Sequence, residues 1–249
     1  MNLCKRYCSA KFVAPFVLLL ALGACGVSST EKAATGSKAT AQEAAAVLSV
    51  LDFRAEELRM AKTPPEASEA SSVKEVVYGS GYSSNLHTGE PLAGAFTDSE
   101  KVQRVYLLTR KDTRTAMLAV FDETDETGAS ETKPLGELAG QLVLTEPYHS
   151  IAASFDLGND GTAELALIQY DFQMGVHIAS LDIYSLADMQ LELLRTQEFV
   201  LQDGCSSAWP DRSIRASRVQ FSHSGMAVEE FMSPCARTAD ELPQFKPLN

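Results

Sequence analysis

Between residues 73 and 231 the chain repeats short apolar or alternating runs separated by turn residues, a pattern that predicts β-strands. One run places Asp182 between the apolar Leu181 and Ile183, as expected for a sheet with one wet face. The runs are close together and joined by short polar turns, which favours antiparallel meanders over parallel βαβ units. The predicted strands cover residues 73–78, 102–109, 115–122, 140–145, 149–155, 164–170, 176–186, 191–201, 214–221 and 227–231.

These strands predict a mainly β fold of antiparallel meander sheets in a β-rich domain spanning residues 73–237. The sequence leaves two arrangements open, a sandwich of two sheets or a partial propeller. A complete propeller needs at least about four blades, and the sequence offers at most two such units.

One amphipathic helix is predicted before the strands, over residues 40–63, where a Thr-x-x-Glu capping box opens it and two prolines follow it. A single short apolar stripe favours docking on its own domain over pairing with a partner helix. The Pro-rich residues 238–249 are expected to form a loosely held tail. The helical stripe consists of Ala44, Val47, Leu48, Leu51, Ala55 and Leu58.

The first 24 residues have the layout of a secretory signal peptide. Lys5, Arg6 and Lys11 precede an apolar run over residues 12–22, and two small residues then precede Cys25. As a helix the run would be about 16 Å long, roughly half of a bilayer core, which disfavours a permanent transmembrane span. The alternative is an ordinary signal peptide that is cut elsewhere, with Cys25 incidental.

The stretch Leu22-Gly23-Ala24-Cys25 resembles the lipobox of bacterial lipoproteins. The resemblance implies cleavage after Ala24, a diacylglyceryl group on the Cys25 sulfur and a further acyl chain, such as palmitate, on the new amine. The lipid bilayer would then be a partner of the chain through acylated Cys25. Gly26 stands where an aspartate would favour the inner membrane, so the resemblance implies an outer-membrane anchor. It favours the periplasmic face, with the cell exterior as the alternative. Polar and small residues over 25–39 are expected to form a flexible tether.

The charge balance narrows the classes of partner. The chain has 33 Asp and Glu against 21 Lys and Arg, a formal charge of −12, and cleavage of the signal would remove three of the cations. So negative a surface repels phosphate, which argues against nucleic-acid binding. It is compatible with a basic envelope protein as partner, with a bound cation, or simply with solubility.

Two cysteines remain after the signal cysteines and the lipidation site are set aside. In an oxidising compartment Cys205 and Cys235 are expected to form a disulfide. The alternatives are metal ligation or a reactive thiol pair, and no histidine lies at a ligand-like spacing from either cysteine. The only tryptophan, Trp209, would either pack against this disulfide or present an aromatic anchor to a partner.

One loop between two predicted strands is a candidate metal site. Residues 156–165 offer oxygen ligands at positions 1, 5 and 9, and Gly161 permits a sharp turn, as a hard cation such as Ca²⁺ requires. The loop resembles the calcium loop of FG-GAP and VCBS repeats, and the resemblance makes Asp156, Asp160 and Glu164 ligands together with the carbonyl of Thr162. The resemblance also implies one four-stranded, blade-like unit over residues 149–199. Those repeats usually carry a further acidic or amide ligand where this chain has glycine at 158. The alternative is an Asx-type turn without an ion.

Other candidate chemistry is weaker. The acidic cluster 122–126 is expected to be a solvated loop tip, and His87, His149, His177 and His223 are far apart in sequence, without a metal-ligand spacing. No nucleophile elbow or nucleotide-binding glycine pattern occurs. The sequence therefore favours a non-enzymatic outer-membrane lipoprotein that binds a protein or supports the envelope. A Ca²⁺-stabilised FG-GAP-like module is the alternative, and a cell-envelope hydrolase is a third.

Overall fold

The computed structural model describes residues 46–60, 62–110, 115–123, 136–208, 210, 212–236 and 241–248. The described chain is mainly β, with antiparallel pairing throughout, which confirms the predicted fold class. It contains two short helices, α1 (Glu56–Arg59) and α2 (Ala70–Tyr78). Its strands are β1 (Val47–Asp52), β2 (Leu86–Thr88), β3 (Leu92–Gly94), β4 (Gln103–Arg110), β5 (Ala116–Asp122), β6 (Glu137–Leu144), β7 (Tyr148–Phe155), β8 (Glu164–Gln173), β9 (Val176–Ser185), β10 (Glu192–Asp203), β11 (Ser213–Ser222), β12 (Gly225–Pro234) and β13 (Lys246–Pro247).

The strands form two sheets. The larger sheet has the order β13-β12-β11-β10-β9-β8-β7, and β1 also pairs with β11. The smaller sheet has the order β2-β4-β5-β6, and β3 also pairs with β4. Strands β7 to β10 are consecutive neighbours, so the predicted four-stranded meander over this region is confirmed.

A shared core joins the two sheets. Val105, Leu118 and Val120 of the smaller sheet pack with Leu165 and Leu167 of the larger sheet, and all five side chains are fully buried. The second face of β8 and β9 contributes to a separate core, which is closed by β1 and β11. The described sheets therefore face each other as in a sandwich, the first of the two predicted arrangements.

Residues 73–78 form part of helix α2 and not the predicted strand. The Val-Lys-Glu-Val-Val-Tyr run has high strand propensity, but Ala70, Val73 and Val77 share one helical face that packs on Tyr106 and Phe121. The hydroxyl of Tyr106 also donates to Glu69, the residue before the helix, over 2.7 Å. Contacts with the smaller sheet thus override the local preference of the run.

The described part of the predicted helix 40–63 is also different from the prediction. Residues Val47–Asp52 form strand β1, which pairs with β11, and only Glu56–Arg59 are helical. Phe53 follows β1, donates its backbone N–H to the carbonyl of Ser217 over 2.9 Å, and is fully buried. The helical prediction is wrong here because Leu51 and Phe53, two residues apart, both point into the core of the larger sheet. Residues 40–45 of the predicted helix lie outside the described residues.

The C-terminal residues are held more firmly than predicted. Strand β13 pairs with β12, and the backbone N–H of Leu248 donates to the carbonyl of Glu230 over 2.8 Å. Phe245 packs against the core of the larger sheet. The prediction of a loose tail is therefore wrong for these residues, since one aromatic side chain and a short strand hold them.

A disulfide joins Cys205, after β10, to Cys235, after β12, with 5.5 Å between the two Cα atoms. It links the two strands that flank β11, and it confirms the predicted pairing. The alternatives of metal ligation or a free thiol pair do not apply to this structure.

Candidate functional site

The predicted calcium loop connects β7 to β8 and is shaped by its own hydrogen bonds. The carboxylate of Asp156 accepts the backbone N–H groups of Asp160 (3.1 Å) and Gly161 (2.9 Å). The carboxylate of Asp160 accepts the backbone N–H of Thr162 (2.8 Å) and its hydroxyl (2.5 Å). These bonds are those of Asx-type turns, and they account for the path of the loop without an ion.

Gly161 is needed in this loop for two reasons. Its φ of +88° lies in the region that favours glycine, and a Cβ on it would lie 2.9 Å from the Cβ of Ser99. The backbone N–H of Ala163 donates to the carbonyl of Ala95 over 2.6 Å, so the loop also contacts the segment after β3.

Of the three predicted ligands, Asp160 and Glu164 place their carboxylates near the same point, whereas the carboxylate of Asp156 is bonded to backbone N–H groups. The carboxylates of Asp160 and Glu164 both lie beside Gly158, at 3.5 and 3.9 Å from the position a Cβ would take there. Glu164 is buried and accepts the N–H of Leu157 over 2.6 Å; burial, followed by the nearby carboxylates, raises its pKa. Hydrogen bonds from Thr162 lower the pKa of Asp160. Whether the loop binds Ca²⁺ stays a prediction.

A cleft at one end of the sandwich brings together side chains that the sequence leaves scattered. Its volume is about 450 Å³, and its walls come from β2 and β4 of the smaller sheet and β7, β8 and β9 of the larger sheet. We call it the histidine cleft, because three of the four histidines of the chain line it, with Arg110. These histidines are His87, His149 and His177.

Aromatic rings form the larger-sheet wall of the histidine cleft. His149 meets Tyr170 edge to face, with 5.3 Å between ring centroids, and His177 lies 4.6 Å from Phe172. The hydroxyl of Tyr170 donates to the backbone carbonyl of Leu58, and burial raises its pKa to about 12. Phe172 is 58% exposed and forms the rim.

Two charged groups border the same cleft. Arg110 is the last residue of β4 and is half-buried. Burial raises the pKa of Tyr78 on α2, and the nearby positive charge of Arg110 partly offsets this rise. Asp171 lies on β8, and both of its carboxylate oxygens accept hydrogen bonds from its own strand, from the N–H of Phe172 (2.7 Å) and the side chain of Gln173 (2.5 Å).

Strand direction explains why these residues meet. In a meander β7 and β9 run parallel to each other and begin at the same end, where β8 finishes. His149 and His177 begin strands, and Tyr170 and Phe172 end one. Linear spacing cannot show this grouping, whereas the strand limits together with the meander prediction would have indicated it.

A hydrogen-bonded cluster adjoins the cleft through Tyr148. The hydroxyl of Tyr148 donates to Asp182 over 2.5 Å and lies 2.8 Å from the hydroxyl of Tyr184. Thr196 donates to the other oxygen of Asp182 over 2.6 Å. Burial, reinforced by Asp182, strongly raises the pKa of Tyr148, so this hydroxyl remains a donor. Tyr148 lines the cleft, and these bonds hold it while joining β7, β9 and β10.

The larger sheet also has an edge that the described residues leave unpaired. Strand β10 pairs with β11 only at residues 201–203, although it pairs with β9 from residue 192 onward. The register with β9 breaks between Gln197 and Leu201, and Phe199 has a φ of +56°. There β10 turns away from β11, and β1 takes the vacated positions on β11 from Arg218 to Ser222.

The remaining sequence candidates are placed as follows. Cys25 and Trp209 lie outside the described residues. Of the acidic cluster 122–126, Asp122 accepts from Lys101 (3.0 Å) and Gln103 (2.6 Å), and Glu123 accepts from Arg104 (2.7 Å). These two carboxylates anchor β4 and are not a free loop tip. His223 belongs to the turn between β11 and β12, away from the other histidines.

Within the described ranges, no group of three or more His, Cys, Asp or Glu side chains has an arrangement that could hold a metal ion. Neither of the two helices there has the length and apolar character needed to cross a bilayer. No family model, no curated protein and no solved structure matches the chain.

Proposed function

We propose that the chain is an outer-membrane-anchored lipoprotein whose β-rich domain binds a protein partner without catalysis. The lipobox-like Leu22-Gly23-Ala24-Cys25 stretch supports the anchor, which would be formed by acylated Cys25 facing the periplasm. The unpaired edge of β10, which we call the docking edge (residues 192–200), supports the binding role and is the single observation that carries it.

The docking edge has some features of a protected edge strand, namely two register breaks and exposed charges, but it is long and keeps exposed apolar side chains. Natural edges are commonly short, bulged, charged or covered, because an open row of N–H and C=O groups recruits other strands. This edge is nine residues long, and Leu193, Leu194 and Phe199 are 49%, 42% and 51% exposed. Such an edge is suited to an added strand, in which backbone hydrogen bonds give affinity and side chains give selectivity.

Charge and shape favour a basic, extended segment as the occupant. A groove of about 510 Å³ adjoins Gln197 and is bordered on β12 by Glu229 and Glu230. Glu192 and Glu198 are exposed on β10 itself. Glu229 is paired with Arg218 over 3.1 Å, and Arg195 is also exposed on β10. Glu192, Glu198 and Glu230 are therefore the carboxylates that an extended segment with lysines or arginines would complement.

The anchor is tested by replacing Cys25 with serine. We expect wild-type protein extracted from membranes to have the mass of a chain that begins at residue 25 with added acyl groups, and Cys25→Ser to lose both cleavage and membrane association. A Cys25→Ser protein that matures normally and stays with membranes after carbonate washing would overturn this part of the proposal.

The docking edge is tested by site-specific photocrosslinking in intact envelopes. A photoreactive amino acid at Leu194 should give a discrete crosslinked protein, and the double variant Leu193→Lys, Leu194→Lys should lose that partner in pull-downs. Met174 is 82% exposed in the turn between β8 and β9, so the same probe there and Met174→Lys are matched controls. Equal crosslinking from Leu194 and Met174 would show that the edge has no specific occupant.

A further inference from the structure

We infer that the histidine cleft is a binding site for a small organic anion that carries a flat aromatic or heteroaromatic group. The inference goes beyond the proposed docking function and does not depend on it, because the cleft and the docking edge use different residues of the larger sheet. It stands on the joint position of Arg110, the three histidines and the ring of Phe172 around one cavity.

The size of the cavity fits a small molecule. Ligand sites in proteins have volumes of about 300–1,000 Å³ and combine apolar walls with a few placed polar groups. The histidine cleft, at about 450 Å³, lies within this range and is bordered by both sheets. A polypeptide segment would need a groove that runs past the sheets, whereas this cavity is at their end.

The charge of Arg110 indicates the charge of the ligand. Arg110 is permanently charged and presents a planar fork that matches a carboxylate or phosphate. His87, His149 and His177 add imidazole nitrogens, which can donate hydrogen bonds, around the same space. The cleft also contains the carboxylate of Asp171, whose negative charge is partly satisfied by two hydrogen bonds from its own strand. It therefore attracts a cationic ligand less strongly. Arg110 therefore favours an anion at this site, although the chain as a whole is acidic.

The aromatic wall selects the shape of the ligand. Phe172 exposes 58% of its surface at the rim and lies against His177, and Tyr170 forms the wall beside His149. Exposed rings that border a cavity stack favourably on another flat ring. The ligand class is therefore an aromatic carboxylate or phosphate, with its anionic group at Arg110 and its ring against Phe172.

Three probes of nearly equal shape test the inference by isothermal titration calorimetry on the full chain in detergent. Indole-3-acetate is anionic, indole-3-acetamide is neutral and tryptamine is cationic. We expect saturable binding of one indole-3-acetate per chain, with the amide bound at least about tenfold more weakly and the amine weaker still, because a charge-assisted hydrogen bond is lost.

Variants assign the two parts of the ligand. Arg110→Gln should reduce affinity for indole-3-acetate to that for the amide, while Arg215→Gln, on the exposed face of β11, should change nothing. Phe172→Ala should weaken the acid and the amide alike. If Arg110→Gln does not fold, His177→Ala removes an exposed histidine and should weaken the acid more than the amide.

The inference is overturned if tryptamine binds more tightly than indole-3-acetate, or if no probe gives a saturable signal. It is also overturned if Arg110→Gln folds with an unchanged melting temperature and binds indole-3-acetate as well as Arg215→Gln does. Each of these results leaves the docking edge untouched, since its partner is measured separately by crosslinking.

Discussion

The position of Phe53 gives a direct test of the N-terminal strand. In the structure Phe53 is fully buried in the core of the larger sheet, whereas Val47, six residues earlier, is 53% exposed. A helix over the same residues would reverse this order, because Val47 belongs to its apolar stripe and Phe53 does not. The two alanine variants therefore distinguish a strand from a helix by stability alone.

The expected magnitudes are well separated. Replacing a fully buried phenylalanine by alanine costs about 3–5 kcal/mol of unfolding free energy, from lost transfer energy and the cavity that remains. Val47→Ala, on an exposed strand position, should cost no more than about 1 kcal/mol. For a chain of this size, Phe53→Ala should then lower the melting temperature by about 6–20 °C.

The assay is urea unfolding followed by circular dichroism, with the disulfide intact. Both variants keep the backbone hydrogen bond from residue 53 to Ser217, so the difference between them reports side-chain burial. Equal midpoints for Phe53→Ala and Val47→Ala, or a larger loss for Val47→Ala, would refute the burial of Phe53 and with it the assignment of β1 to the core.

Three further outcomes follow from the described contacts. Replacing Cys205 and Cys235 by serine should lower the unfolding free energy by about 3 kcal/mol, from the freed loop between them, and thermal melts with and without reductant check this. Tyr148→Phe should cost about 1–3 kcal/mol, because buried Asp182 loses a donor, and a cost below that seen for an exposed tyrosine would contradict the network. Since the folded-state pKa of Glu164 is raised, its stabilising contribution is complete below the ordinary glutamate pKa of about 4.3 and is lost as pH rises through the raised value. The Glu164→Gln variant should therefore be more stable than wild type at neutral pH and equally stable in acid, as measured by urea unfolding midpoints. If Ca²⁺ instead raises the wild-type midpoint and EDTA reverses the rise, an ion in the loop is favoured.

Local pattern was enough to predict most strands from β4 to β12. There the apolar or alternating runs are short and are interrupted by turn residues, so strands are favoured over helices. The run at 73–78 and the stripe over 47–58 are different, because each fits two periods. Which period holds is decided by partners distant in sequence, Tyr106 and Phe121 for α2 and β11 for β1. Strands β2, β3 and β13 are too short to give a local signal.

The candidate sites divide in the same way. The loop 156–165 and the Cys205–Cys235 pair are visible in sequence, because spacing or compartment specifies them. The histidine cleft is visible only in part. The predicted meander brings His149 and His177 to one end, whereas His87 comes from the other sheet and joins them only when the meander stacks on β2 and β4. Residue type alone gave no indication of it.

The docking edge is a consequence of how β1 enters the larger sheet. Pairing of β10 with β11 stops at Leu201 and Ala216, and β1 pairs with β11 from Arg218 onward, on the positions that a straight β10 would reach. Two strands cannot use the same row of hydrogen-bonding groups, so β10 must separate and expose its own row. The pairing of β1 with β11 thus leaves the edge of β10 available to pair with another strand. Since these two features have one cause, substitutions that weaken β1 should also reduce crosslinking from Leu194, even though no residue of the edge is changed.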